Sequence, residues 1–211
     1  MQRFTSTLVA EGSSDQALVP MIEFVLDEHC GVPHLTTFAQ DVPSGPLRTR
    51  IAQALILHPC DLLFVHRDAD REEVSLREDE IREAVRLSGA STVICLIPVR
   101  MTESWLLVDE VAIRRASGNT SGRARLGVPP ISRLEAHVDP KSLLFAALDK
   151  ASELGINRLR RFDRNQARRQ ISGFMDDLSV LRNLPSFVHF ESQVRDFFLK
   201  VGREFDAVRA S

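Results

Sequence analysis

Apolar residues in the first half of the chain follow two alternating rhythms. Short apolar runs at Phe4 to Ala10, His34 to Ala39, Leu62 to Arg67 and Ser91 to Pro98 predict β-strands, most strongly in LLFVHR and STVICLIP. Between them, apolar positions recur at helical spacing. Ala17, Leu18, Met21, Ile22, Val25 and Leu26 share one helix face, Leu47 to Leu57 predicts a second helix, and Leu76 to Leu87 a charged amphipathic one closed by Ser88-Gly89. Ser13 or Ser14 is placed to cap the first helix, and Pro20 inside its pattern predicts a kink. Thr102 caps a short helix reaching Val108. This alternation predicts an α/β fold with a mainly parallel sheet flanked by crossover helices. Both faces of such a sheet are covered, which is why its strands are apolar throughout.

The strand signal fades after residue 111. Residues 118 to 130, GNTSGRARLGVPP, have the composition of a loop. Asp139-Pro140 predicts a helix start, with Gly155 closing that helix. Two further helices are expected over Arg158 to Leu184 and Ser186 to Val201. The expected organisation is therefore an α/β domain over residues 1–111 with a helical extension over 112–211 packed on it.

Composition narrows the function classes. The 211 residues suit one domain with a sizeable appendage, and no apolar run reaches the length of a membrane span. The N-terminal apolar patch is too short for a secretory signal, and Cys30, Cys60 and Cys95 are odd in number and widely spaced, so the expected setting is a reducing cytoplasm. No residue is a tyrosine, which excludes a tyrosine nucleophile from this chain. Charge is unevenly shared: residues 1–111 hold 9 Lys and Arg against 18 Asp and Glu, and residues 112–211 hold 18 against 11. An acidic site facing a basic grip produces this asymmetry, and so do two halves that merely attract each other.

The candidate chemistry sits where strands end. Ligands of open α/β sheets bind beyond the carboxyl ends of the strands. Glu11 follows the first predicted strand in EGSSD, Asp68 and Asp70 follow the third in HRDAD, and Glu103 follows the fourth. Residues two apart in an extended segment point the same way, so Asp68 and Asp70 reach one region of space. Their mutual repulsion is relieved by a divalent cation such as magnesium, which prefers oxygen ligands. The plain alternatives are solvated loop acids at 68 and 70, a turn residue at 11, and at 103 an acid favoured by a helix N-terminus.

The order strand-Glu-Gly-x-Ser-Asp-helix, then strand-Asp-x-Asp, resembles the Toprim domain, the metal-binding catalytic domain of topoisomerases, bacterial primases and several nucleases. The resemblance covers about residues 4 to 109. It implies that Glu11, Asp68 and Asp70 hold Mg2+ or Mn2+. MTESWLLVD (101–109) and PSFVHF (185–190) are similar to stretches of a family of small Toprim-like proteins related to the nuclease domain of overcoming-lysogenisation-defect proteins. That likeness implies a metal-dependent nuclease acting on DNA or RNA, an ATPase partner and a setting of phage defence. It equally admits a non-catalytic subunit that binds such a partner. Haloacid-dehalogenase phosphatases carry their Asp-x-Asp on the first strand, whereas this pair follows the third. Receiver domains leave the doubled aspartate unexplained.

Within this reading Glu103 takes a catalytic place beside Glu11, Asp68 and Asp70, either on a second metal or on a metal-bound water. Six arginines crowd RLRRFDRNQARR (158–169), and Arg160, Arg161, Arg164 and Arg168, with Arg123, Arg125 and Lys141, are candidate phosphate contacts. A helix face paired to the acidic half is the competing reading. Phe187, Phe190, Val194 and Phe197 recur at helical spacing and predict core, as do Trp105 and Leu106. His66, beside the acids, is expected to be structural.

Overall fold

A computed structural model describes residues 3–69, 72–89 and 92–209. Four strands, β1 (Phe4–Val9), β2 (His34–Phe38), β3 (Leu62–His66) and β4 (Val93–Leu96), form one sheet in the order β2-β1-β3-β4. All pairings are parallel, with Phe4 opposite His34, Val9 opposite Val65 and His66 opposite Leu96. Helices α1 (Val19–His29), α2 (Leu47–Leu57) and α3 (Val74–Ser88) make the crossovers. The path moves one way from β1 to β2, then back across β1 to β3 and on to β4. Constant handedness of the crossovers puts α1 on one face and α2 with α3 on the other.

Strand alternation divides the core accordingly. Val9, Leu63, Val65 and Cys95 meet Ile51 and Ala54 of α2 and Ile81, Ala84 and Val85 of α3. Leu8, Leu62, Phe64, Ile94 and Leu96 point the other way, where α1 is the only crossover helix among the described residues. The second half of the chain completes that face. It contributes α4 (Glu103–Leu106), α5 (Glu110–Ala116), α6 (Pro140–Ser152), α7 (Ile156–Leu159), α8 (Arg164–Gln170) and α9 (Pro185–Arg209), and adds no strand among the described residues. Phe190 of α9 packs edge-on against Phe64 at 6.0 Å, and Phe187, Phe190 and Val194 are buried.

The two sequence stretches that stood apart, MTESWLLVD and PSFVHF, meet in this core. The Trp105 ring lies 5.1 Å from Phe187 and 6.0 Å from Phe190, and its indole N–H donates to Ser186 Oγ at 2.7 Å. Glu135 accepts from the Ser186 backbone N–H at 3.1 Å and from its hydroxyl, satisfying the first turn of α9. Asp109 caps α5 through the N–H groups of Val111 and Ala112. Both sheet edges are capped by side chains. Glu23 accepts from Thr36 N at 2.6 Å on β2, and the Gln193 amide donates to Cys95 O at 3.1 Å and accepts from Cys95 N at 3.4 Å on β4.

Several element boundaries differ from expectation: Gly12, not Ser13 or Ser14, precedes the first turn, and α4 ends at Leu106 without a side-chain cap from Thr102. Pro20 does not kink a helix: Ser13–Leu18 is a 3-10 turn, and Pro20 sits in the first turn of α1, where its missing N–H costs nothing. Glu153, in a left-handed conformation with φ 48°, ends α6 in place of Gly155. Its carboxylate accepts from Arg123 N at 2.6 Å and Ala124 N at 2.8 Å, which fixes the 118–130 loop. The continuous helix expected over 158–184 is broken into α7, α8 and two 3-10 turns, because Asp163 and Asp177 cap new starts at Gln166 N and Ser179 N. Among the described residues, no helix is long and apolar enough to cross a membrane.

Candidate functional site

In the order β2-β1-β3-β4 the chain reverses direction between β1 and β3, so their carboxyl ends flank the crevice where open α/β sheets bind ligands. Glu11 leaves the end of β1 and Asp68 the end of β3. They lie close enough that the charge of Asp68 acts on Glu11. Partial burial holds the Glu11 carboxyl above its ordinary range against the opposing pull of Arg67, whose Nε pairs with Glu11 Oε1 at 2.7 Å. The first-strand and third-strand acids therefore share one rim. Asp70 lies outside the described residues.

Beneath the rim lies a buried chain of alternating charge. His66 ends β3 with its side chain fully enclosed. On one side its Nε2 lies 3.2 Å from Asp68 Oδ1 and 3.1 Å from Thr102 Oγ1. On the other, Nδ1 lies 3.4 Å from Asp15 Oδ2, an ionic contact outside hydrogen-bond geometry. Burial alone would lower the His66 pKa, but the two flanking carboxylates overcome it and push it up to about 10, so the ring is an imidazolium at neutral pH. Burial likewise opposes the Asp15 charge, yet His66, the Gly12 N–H at 2.9 Å and Arg168 hold its carboxyl below the ordinary range.

Asp68 is fixed by this chain. Its Oδ1 accepts from Thr102 N at 2.9 Å and from Thr102 Oγ1 at 3.3 Å, and also faces His66. Among the described residues, these contacts all fall on Oδ1 and none on Oδ2. Oxygen donors of this kind on a half-open rim fit a hard cation, which takes one or two carboxylates and keeps waters for phosphate.

Two expectations are corrected. Glu103 does not stand open on the rim. It is 2 % exposed and ion-pairs with Arg168, while burial raises its pKa against the pull of that arginine. Arg168 in turn is not part of a solvent-facing patch: it is buried between Glu103 and Asp15, 4.0 Å from the latter. The physical reason is mutual, since neither charge is tolerated in the interior without the other. Arg164 is half-buried and pairs with Asp149 at 2.6 Å. Arg160, Arg161, Arg123, Arg125 and Lys141 are exposed.

Sequence reasoning passed over Asp15, Thr102 and Arg67 as parts of the site and read His66 as structural. The available signal was a polar side chain at the last position of an otherwise apolar strand. Among the described residues, the group with metal-like ligand spacing is Glu28, His29 and Glu191. It lies at the opposite, amino end of the strands, and Arg182 bonds both carboxylates while stacking 5.1 Å from the Phe24 ring centre. That arginine already supplies the cation, which makes the group a clamp between α1 and α9. Comparison with protein-family models, with curated proteins and with solved structures returned no match.

Proposed function

We propose that the protein is a metal-dependent phosphoryl-transfer enzyme of Toprim-like type, a nuclease cutting DNA or RNA. One observation carries the reading: Glu11 and Asp68 follow the carboxyl ends of the neighbouring strands β1 and β3 at the switch point of a parallel sheet, and Asp68 Oδ1 is held by His66 and Thr102. Glu11, Asp68 and the adjacent Asp70 would hold Mg2+ or Mn2+, which when bound polarises a phosphate oxygen and activates water. The chain's own residues supply position. His66 neutralises the charge beneath the rim, and the Glu103–Arg168 pair fixes Asp15 beneath His66. The exposed Arg160, Arg161, Arg123, Arg125 and Lys141 offer cations to a polyanion that the acids would otherwise repel.

The internal pairing of Arg164 and Arg168 favours a second reading, a non-catalytic subunit docked to a partner such as an ATPase. Phage defence is the setting that the Toprim likeness suggests for either. A cleavage panel of single- and double-stranded DNA and RNA with Mg2+ or Mn2+ separates the two. Metal-dependent product from any substrate, lost with Glu11→Gln, supports the enzyme. No product from the whole panel, with or without an ATPase partner, leaves the binding subunit.

A further inference from the structure

A cleft of about 380 Å3 opens beside Glu11, between the end of β1 and the loop that joins β2 to α2. It belongs to neither the buried charge chain nor the arginine-rich surface. Its wall is preformed. Ala39 N donates to Leu8 O at 3.0 Å, continuing the β1–β2 pairing, and His58 Nε2 holds Asp41 at 2.6 Å, pinning the loop to the end of α2.

The cleft has two chemically distinct ends. Phe38 and Val42, each only partly buried, give an apolar wall. Glu11, Gly12 and Arg50 form the polar end, where the Arg50 guanidinium is anchored by donating to the Ala10 carbonyl. Arg50 stands in the first turn of α2 with Arg48, a turn that holds no acid of its own, and the nearby Glu11 and Asp15 charges act on Arg50. Two cations at a helix N-terminus run against its dipole, an arrangement that an anion bound at this end of the cleft offsets. A flat apolar ring at one end and a phosphate at the other is the outline of a nucleotide, and the volume lies in the range of small-ligand sites.

We propose that this cleft takes one unstacked nucleotide of a single-stranded nucleic acid, its base against Phe38 and Val42 and its phosphate between Arg50 and the Glu11 rim. The proposal rests on the nuclease reading and adds a substrate form to it. A base enters such a cleft only when it is out of the stack, so intact duplex is excluded from this contact.

The test measures binding of a fluorescein-labelled single-stranded oligodeoxynucleotide, and of the same sequence as duplex, in calcium. Val42→Trp fills the cleft from its lip. Ser44→Trp does so from an exposed neighbouring position and serves if the first variant unfolds. Loss of one base contact should weaken single-strand binding about tenfold and leave duplex binding unchanged. Wild-type affinity for single strands in the folded variants, or no single-strand binding by the wild type, overturns the proposal. Cleavage is scored separately. A wild type that cleaves while the variants bind as it does sinks the cleft and spares the nuclease. A wild type that binds with this cleft dependence but never cleaves sinks the nuclease and spares the cleft.

Discussion

At the scale of residues, His66 is the least expected finding. Its sequence position, the last letter of an apolar strand beside an acidic loop, shows a polar group in the wrong place for a core. It does not show which groups answer it, because Asp15 and Thr102 are far away in the chain. The pH dependence follows from the sign of the shift. A group whose folded pKa lies above its unfolded value stabilises the fold fully below the unfolded value, near 6.5, and loses that contribution as pH rises through about 10. Metal-free protein, held in chelator, should therefore show a melting temperature that falls between these limits, and His66→Gln should flatten that limb. A curve rising with pH there would contradict the charged assignment. Thr102→Val keeps the backbone N–H to Asp68 but removes the hydroxyl, and should lower metal-dependent cleavage about tenfold, as loss of an outer-shell partner does. Thr102→Ser should restore it, whereas a packing role for the Thr102 methyl would leave Thr102→Val active and Thr102→Ser impaired.

At the scale of elements, strands and crossovers were legible because each follows a period of the sequence. Leu47 to Leu57 and Leu62 to His66 appear where alternation and helical spacing put them. The irregular middle of the second half was not legible. Arg158 to Leu184 has helix-forming composition, yet aspartate caps at 163 and 177 restart the chain. Composition outweighed capping in the sequence reading, and capping wins locally because it satisfies N–H groups that composition ignores. The Trp105 and Phe187 stretches, far apart in the sequence, are joined by packing. Removing the indole leaves a cavity and takes the Trp105 donor from Ser186 Oγ, which keeps its bond to Glu135, so Trp105→Ala should cost about 3–5 kcal/mol by denaturant titration. A loss under about 1 kcal/mol would mean that the two stretches do not hold the core together.

At the scale of the whole molecule, division into an acidic half and a basic half describes charge better than it describes folding. The core that contains Phe64 also contains Phe187, Phe190 and Val194, so the helical half closes a sheet face that the first half leaves open. Residues 1–111 alone should fail to give a cooperative thermal transition, because a parallel sheet with one face covered mainly by α1 exposes a large apolar surface. A sharp transition from that fragment would make the second half an appendage. Charge pairing is likewise split: Arg168 is consumed inside, and Arg160 and Arg161 face water. Replacing those two together should lower the salt slope of nucleic-acid binding by about two and weaken all sequences alike.

Under the proposed function the Glu11–Asp68 rim, and not the Glu28–His29–Glu191 group, is the metal-dependent centre. Mn2+-dependent cleavage by the wild type, Asp68→Asn and Glu191→Gln, each first shown to be folded, compares the two directly. Asp68→Asn should lose at least about a hundredfold in rate, since a lost ligand costs no less than a lost outer-shell partner, while Glu191→Gln keeps most of the activity. Cleavage that survives in Asp68→Asn and disappears in Glu191→Gln would contradict the account and move the chemistry to the other end of the sheet.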